Sequence, residues 1–298
     1  MKYNWLVTGG FADVNENEIK YIPKVQENGL NKEQNLPAFV NSNIEFENGT
    51  IEFEVLSKDI YGICQIILNT ETGADLNVGL NAGGFLYGIV QFNSKSKKWD
   101  LLNGTGEPQT FKTNKLYKIK IIVSGSIVSL YINDILVTAS ISNVRKGQLQ
   151  IAFSATNEII AKNFKVTPLK PKAFIVMQFT KEYNQLYTEV IKPVCEKYGL
   201  EVERADEFYT ATPIIKDIVK SIKNASVIIA EITPDNPNVF YEVGYAHAIE
   251  KPTILLSDVN REKLPFDISG FRTLFYENTI AGKTKVEQNL NRFLENIF

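Results

Sequence analysis

Glu242 is the residue best placed by its surroundings to do chemistry. It stands near the start of a helical stretch, residues 239–249, directly after Asn236-Pro237-Asn238. Asn236 or Asn238 can cap that helix, and the positive end of the helix dipole favours a carboxylate in its first turns. Tyr245 and Ala246 follow three and four residues on, along the same face, and a small Ala beside the carboxylate leaves room for a ring. His247 lies five residues on, about 140° around the helix, so the two side chains need not meet. Taken alone, Glu242 also fits a surface charge favoured by the dipole, and His247 a structural role.

These residues need a frame, and the second half of the chain supplies one. Ala173-Phe174-Ile175-Val176-Met177 is a continuous apolar run, as in a strand covered on both faces. Helical spacing follows over 183–198, with Pro193 predicting a kink or an early end. A short strand covers 200–204. A helix over 213–223 puts Ile214, Ile215, Ile218, Val219 and Ile222 on its core side. Further strands cover 225–230, 253–256 and 274–276, and an amphipathic helix over 283–297 closes the chain. Strands alternating with helices predict a doubly wound parallel sheet, with ligands beyond the carboxyl ends of its strands. Three loops meet at that rim: Met177-Gln178-Phe179, Arg204-Ala205-Asp206-Glu207, and the stretch from Glu231 to Asn238 that leads to Glu242. No glycine-rich phosphate loop is present, so a nucleotide would be held without a dinucleotide-type glycine turn.

Composition narrows the chemistry. The chain has 298 residues, 44% hydrophobic and 22% charged, with a formal net charge of −2. The length predicts two domains, and the charge argues against a broad nucleic-acid surface. There is no apolar run long enough for a membrane helix and no secretory signal pattern. Two distant cysteines, Cys64 and Cys195, make no disulfide framework or metal cluster. The single histidine all but removes histidine-rich zinc sites and Ser-His-Asp chemistry. The expected protein is cytoplasmic, and no metal or cofactor is expected.

Fourteen of the 18 glycines precede residue 172. Thr167-Pro168-Leu169-Lys170-Pro171-Lys172 is the predicted linker, stiffened by two prolines. The expected domains are 1–167 and 173–298, joined by 168–172. The first reads as all-β. Alternation marks strands over 50–55, 116–123, 127–132 and 135–138, with later ones over 147–153 and 159–166, and short turns between them predict a sandwich or jelly roll. Glu52 and Glu54 share one strand face and could be a glycosidase pair, but alternation favours a solvated outer face. Trp5, Tyr61, Phe92 and Trp99 could stack on a sugar, with core and edge packing the expected role.

Two resemblances add to this reading. The run from Lys118 to Thr138, followed by Gly147-Gln148-Leu149-Gln150-Ile151-Ala152-Phe153, resembles the concanavalin A-like lectin/glucanase sandwich in its laminin-G-like variant. That fold hosts sugar binding, glycosidases and protein recognition alike. No calcium-ligand cluster is visible, and glycan binding by this half is not expected. In the second half, Ala173 to Phe179, Ala205-Asp206-Glu207-Phe208, Asn224 to Thr233, Asn236 to Ala248 and Leu264-Pro265-Phe266-Asp267 together resemble bacterial TIR-like domains related to nucleoside 2-deoxyribosyltransferases. The resemblance implies a flavodoxin-like sheet and a glutamate, here Glu242, working at an N-glycosidic bond. It implies binding roles for Met177, Gln178, Phe179, Asp206, Asn236, Asn238, Tyr241 and Tyr245, with His247 and Glu231 as further candidates. In the TIR branch the substrate is NAD, often in antiphage defence.

Ser226 stands where deoxyribosyltransferases carry Asp, and Glu231 where many TIR-like relatives carry Asp. A single carboxylate also suits nicotinamide, which leaves NAD as a neutral ring without needing a second acid. The leading expectation is therefore an NAD glycohydrolase. It would be a homo-oligomer through its TIR-like domain, with an unidentified trigger at the sandwich. A deoxyribosyltransferase and a non-catalytic interaction or sugar-binding protein are the alternatives.

Overall fold

The computed structural model describes residues 3–28, 32–70, 73–207, 213–261 and 263–297. The chain divides into two compact units, Met1–Leu169 and Lys170–Phe298.

The first unit is built of strands: β1 (Trp5–Gly9), β2 (Ala12–Val14), β3 (Glu18–Tyr21), β4 (Val25–Asn28), β5 (Lys32–Asn35), β6 (Ala38–Phe46), β7 (Gly49–Ser57), β8 (Ile63–Leu68), β9 (Leu76–Ala82), β10 (Phe85–Asn93), β11 (Lys98–Thr105), β12 (Leu116–Ser124), β13 (Ile127–Ile132), β14 (Ile135–Ile141), β15 (Gly147–Ser154) and β16 (Ile159–Pro168). They form two seven-stranded antiparallel sheets, ordered β1-β6-β15-β8-β9-β10-β11 and β14-β13-β12-β7-β16-β3-β2, with β4-β5 as a separate hairpin. This is a β-sandwich of the jelly-roll class. Alternation explains it. On β7, Ile51, Phe53 and Val55 are buried while Glu52 and Glu54 face outward. Val40, Ile151, Ile66, Val78 and Ile89 lie opposite one another across β6, β15, β8, β9 and β10 and enter the core between the sheets. Asn133 and Asp134 both take positive φ, the geometry that a two-residue hairpin turn demands.

The outer face of β7 behaves as its alternation predicts. Glu52 pairs with Lys118 at 3.4 Å and Lys165 at 3.9 Å, and Glu54 accepts from Asn163 at 2.7 Å. Trp5 packs on Phe164 at 4.6 Å and Phe92 on Trp99 at 5.4 Å, so both serve as core and edge aromatics. Tyr61 is exposed.

The second unit carries β17 (Lys172–Val176), α1 (Lys181–Leu186), α2 (Lys192–Lys197), β18 (Glu201–Arg204), α3 (Ile214–Asn224), β19 (Val227–Glu231), α4 (Pro237–Ala248), β20 (Thr253–Asp258), β21 (Thr273–Tyr276) and α5 (Ile280–Glu295). Its five strands are parallel, in the order β18-β17-β19-β20-β21. One core cluster joins Ile175, Ile229 and Leu256 to residues of α2 and α5, and another joins Phe174, Ile228 and Leu255 to α3 and α4. β17, β19 and β20 are buried on both faces, which is why they read as unbroken apolar runs, whereas the edge strands β18 and β21 keep exposed residues. Pro193 does not end its helix: α1 and α2 join through a π turn over Tyr187–Ile191, which absorbs the missing N–H donor. No helix among the described residues is long and apolar enough to cross a membrane.

Candidate functional site

The strand order reverses between β17 and β19. The connection from β17 runs outward to β18, and the next one crosses back to β19. Such a reversal opens a crevice beyond the carboxyl ends of the strands, and a cavity of about 510 Å³ lies there. Ile175, Met177, Gln178 and Phe179 line it from the end of β17 and the turn beyond. Ala205 comes from the turn after β18, and Ile214, Ile215 and Ile218 come from α3. Asn236, Asn238, Val239, Tyr241 and Glu242 come from the start of α4.

The local sequence fixes that helix start. Asn236 is extended (φ −100°, ψ 114°), and its side chain accepts from the Asn238 amide at 3.0 Å. Pro237 fills the first helical position, where no N–H is needed. Asn238 and Glu242 are four residues apart and so share a face, with Tyr241 beside them. Glu242 is half-buried, and burial alone pushes its carboxyl up from the ordinary 4.5 to about 7. Among the described lining residues it is the only charged one. The cavity therefore offers a sugar or base amides, a phenol, one carboxyl and an apolar wall.

Seven of the residues singled out in the sequence meet here: Met177, Gln178, Phe179, Asn236, Asn238, Tyr241 and Glu242. Four others do not line the cavity. Asp206 is held by Arg204, whose Nε and Nη2 donate to its two oxygens at 2.6 Å. Arg204 also donates to Asn184 at 2.9 Å and lies 4.2 Å from the ring of Tyr187 and 5.3 Å from that of Phe179. Tyr245 packs against the α3/α4 core, and Ala246 is fully buried in it. The face that turns to the cavity is thus 238/241/242 rather than 242/245/246, and Ala246 makes no room for a ligand ring. His247 stacks on Phe271 at 3.9 Å, and burial lowers its pKa, which favours a neutral imidazole.

Glu231 is fully buried at the end of β19. Its Oε1 accepts from the Thr233 amide at 3.1 Å, from Tyr276 Oη at 3.0 Å and from the Thr233 hydroxyl. Its Oε2 has no partner among the described residues. Burial raises this carboxyl to about 6 against the pull of those donors and of Arg261.

Sequence reasoning missed the wall that α3 supplies. Ile214 and Ile215 were expected in the core, but only Ile218 and Ile222 of that face are buried. Ile214 is 62% exposed at the rim. Helical spacing could not show this, because Ile214, Ile215, Ile218 and Ile222 fall within about 100° of one face; Ile214 and Ile215 differ in standing in the first turn, beside the cavity.

No family model matches the chain, and no curated protein matches it. Solved structures do. A carbohydrate-binding module from Bacillus subtilis matches with 15% identity over 54% of this chain and 92% of that one, at a TM-score of 0.42. A Bacillus licheniformis β-glucanase matches with 10% identity over 55% and 92%, at 0.38. A laminarinase from Flavobacterium sp. UMI-01 matches with 10% identity over 55% and 92%, at 0.38. These are sugar-binding or sugar-hydrolysing proteins by name, and none is an NAD-cleaving enzyme. The expectation of an NAD glycohydrolase in antiphage defence, with NAD as its partner, is corrected accordingly.

Proposed function

We propose that the α/β unit binds a nucleoside by its sugar and transfers the glycosyl group through Glu242, in the manner of the nucleoside 2-deoxyribosyltransferase-related proteins that its motifs resemble. The observation that carries this reading is the Glu242 carboxyl, the single charge in a cavity that is otherwise amide, phenol and hydrocarbon. The strand order, with helices packed on both sheet faces, supports a doubly wound, flavodoxin-like arrangement. In the first step the ionised carboxylate attacks the anomeric carbon. The carbon–nitrogen bond breaks, and the base leaves with the electron pair and takes a proton from water. In the second step a nitrogen of another base attacks the same carbon, the glycosyl–carboxylate bond breaks, and the incoming base loses its proton to solvent. Gln178, Asn236, Asn238 and Tyr241 are neutral partners for sugar hydroxyls, and Ile214, Ile215 and Met177 give a base an apolar surface.

The test is base exchange. The full chain, mixed with a deoxynucleoside and a different free base, is expected to form the second nucleoside, read by chromatography. Glu242→Gln is expected to cut the rate by about a thousandfold or more, as removal of a nucleophile does. A wild-type chain that exchanges no base, or a Gln variant as fast as wild type, overturns the reading.

A second reading concerns the sandwich and is favoured by a row of amides on the face of the first sheet that points away from the core. Asn41, Gln150 and Asn77 alternate with the core row across β6, β15 and β9. Asn41 bonds Gln148 at 2.7 Å, and Asn77 bonds Gln65 at 3.0 Å. Asn77 and Gln65 are buried, whereas Asn41, Gln148 and Gln150 are part-buried and keep amide surface open to a ligand hydroxyl. We propose this face as a binding surface for a neutral saccharide. Titration calorimetry of the full chain with oligosaccharides is expected to show binding that Asn41→Leu abolishes; equal heats from both chains would remove the reading.

A further inference from the structure

The loop that carries the chain from β19 to α4, Ile232-Thr233-Pro234-Asp235-Asn236, has two features that leave its backbone poorly tied. Pro234, and Pro237 just beyond it, have no N–H to donate, and of its amides the one on Ile232 reaches the neighbouring strand, at Leu256 O, 2.9 Å. Thr233 is tied back to Glu231 Oε1 by its amide and hydroxyl, and the carbonyl side of the loop is held from the loop after β20. Arg261 Nη1 donates to the carbonyls of Ile232 and Thr233, the latter at 2.6 Å, and Nη2 donates to Asp235. Nε donates to Lys263 O at 2.9 Å. The guanidinium lies 5.6 Å from the ring of Phe240, in the first turn of α4. Beside it, the Asp258 amide donates to Thr233 Oγ1 at 2.8 Å.

Burial shows which of these contacts matters. The Arg261 side chain is 7% exposed, and that of its ionic partner Asp235 is 85% exposed. An ion pair with so wet a partner is worth little. The buried fork of donors on two carbonyls is the contact that water does not replace.

We propose that Arg261 is a positioning residue for Glu242: by holding the Ile232 and Thr233 carbonyls and the Phe240 ring, it fixes where α4 begins and hence where the carboxyl stands in the cavity. This rests on the reading of Glu242 as the acting carboxyl. Arg261 is not in the cavity lining and acts through the loop. The planar guanidinium makes the two Nη1 bonds together with the Nε bond to Lys263 O, a fixed set of directions that a lysine's point charge does not reproduce.

The test uses the full chain and two readouts. In base exchange, Arg261→Ala is expected to lower kcat about a hundredfold, the cost of misplacing a reacting group, while KM changes by less than about tenfold, since the walls from β17 and α3 stay in place. Asp235→Asn is expected to leave both constants at wild-type values. Added guanidinium is expected to restore part of the kcat of Arg261→Ala. The second readout needs no substrate: the titration of Glu242, followed by carbon NMR of labelled glutamate and assigned by its loss in Glu242→Gln, is expected to move in Arg261→Ala and to stay in Asp235→Asn. If Arg261→Ala does not fold, Arg261→Lys takes its place and is expected to move the same two readouts in the same direction. Wild-type kcat and an unmoved Glu242 titration overturn the proposal. If the wild-type chain exchanges no base, the nucleoside reading fails alone, and the titration still decides: a moved Glu242 signal supports Arg261 as its positioner and an unmoved one overturns it.

Discussion

Glu231 and Glu242 belong to one βα unit, yet their partners separate them. Glu231 has three donors on one oxygen, which counter the cost of burial and hold it near 6. Glu242 has burial alone, which takes it to about 7. A carboxyl whose folded pKa exceeds its ordinary value keeps its proton in the folded chain and loses it in the unfolded one between those two pH values. The stability that Glu242 contributes is thus fully present below about 4.5 and lost as pH rises through about 7. Urea unfolding of the wild type at pH 5 and pH 8 is expected to show a fall that is smaller in Glu242→Gln. Base exchange needs the ionised form, so kcat/KM is expected to run the other way, rising with pH and levelling above about 7. At this scale the sequence was informative wherever a residue's position on an element decided its place. Gln178 ends up beyond a strand and Glu242 near a helix start, as their neighbours require. Asp206 was not legible in the same way, because nothing in its type says that Arg204, two residues back, will fold over and take both its oxygens.

Among the elements, α3 does two jobs with one run of isoleucines. Ile222 is fully buried against the sheet, whereas Ile214 stands at the cavity rim. Ile222→Ala is expected to cost about 2–5 kcal/mol in urea unfolding. Ile214→Ala is expected to change stability by less than about 0.5 kcal/mol and to raise KM for the nucleoside. The end of α3 is held from β20's side by Lys251, whose ammonium donates to Lys223 O at 3.0 Å and to Ala225 O. Lys251→Ala leaves these carbonyls without that donor and is expected to cost about 1–3 kcal/mol in the same measurement. Strands with one wet face, such as β7 and β12, announce themselves by alternation. β8 does not, because five of its six residues are buried. β11 does not either, since nearly all of it is exposed. Period-two patterning vanishes whenever both faces share an environment.

Over the whole molecule, the core clusters stay within their own units: one draws only on residues up to Val166, and the other two begin at Ala173 and Phe174. Cores that share no side chain have no packing reason to melt together. Calorimetry of the full chain is expected to resolve two transitions. Phe53→Ala, at about 3–5 kcal/mol, is expected to lower one of them and leave the other in place. A shift of both transitions would contradict the independence of the cores. Fourteen of the 18 glycines precede residue 172, because left-handed turns between strands call for glycine and asparagine where βα loops do not.

Strand β16 carries a consequence for how the chain is made. It is the last strand of the sandwich in sequence, yet it lies inside its sheet, between β7 and β3. Its register pairs Ile159 with both Ser57 and Tyr21, residues synthesised long before it. During synthesis β2 and β3 therefore wait beside an empty lane, and the sheet can close only once β16 has left the ribosome, when the parallel-sheet unit is already being made behind it. A chain stopped short of residue 159 would present two unpaired strand edges, which are templates for association with other chains. An interrupted message thus leaves open the lane between β7 and β3 that the full chain fills.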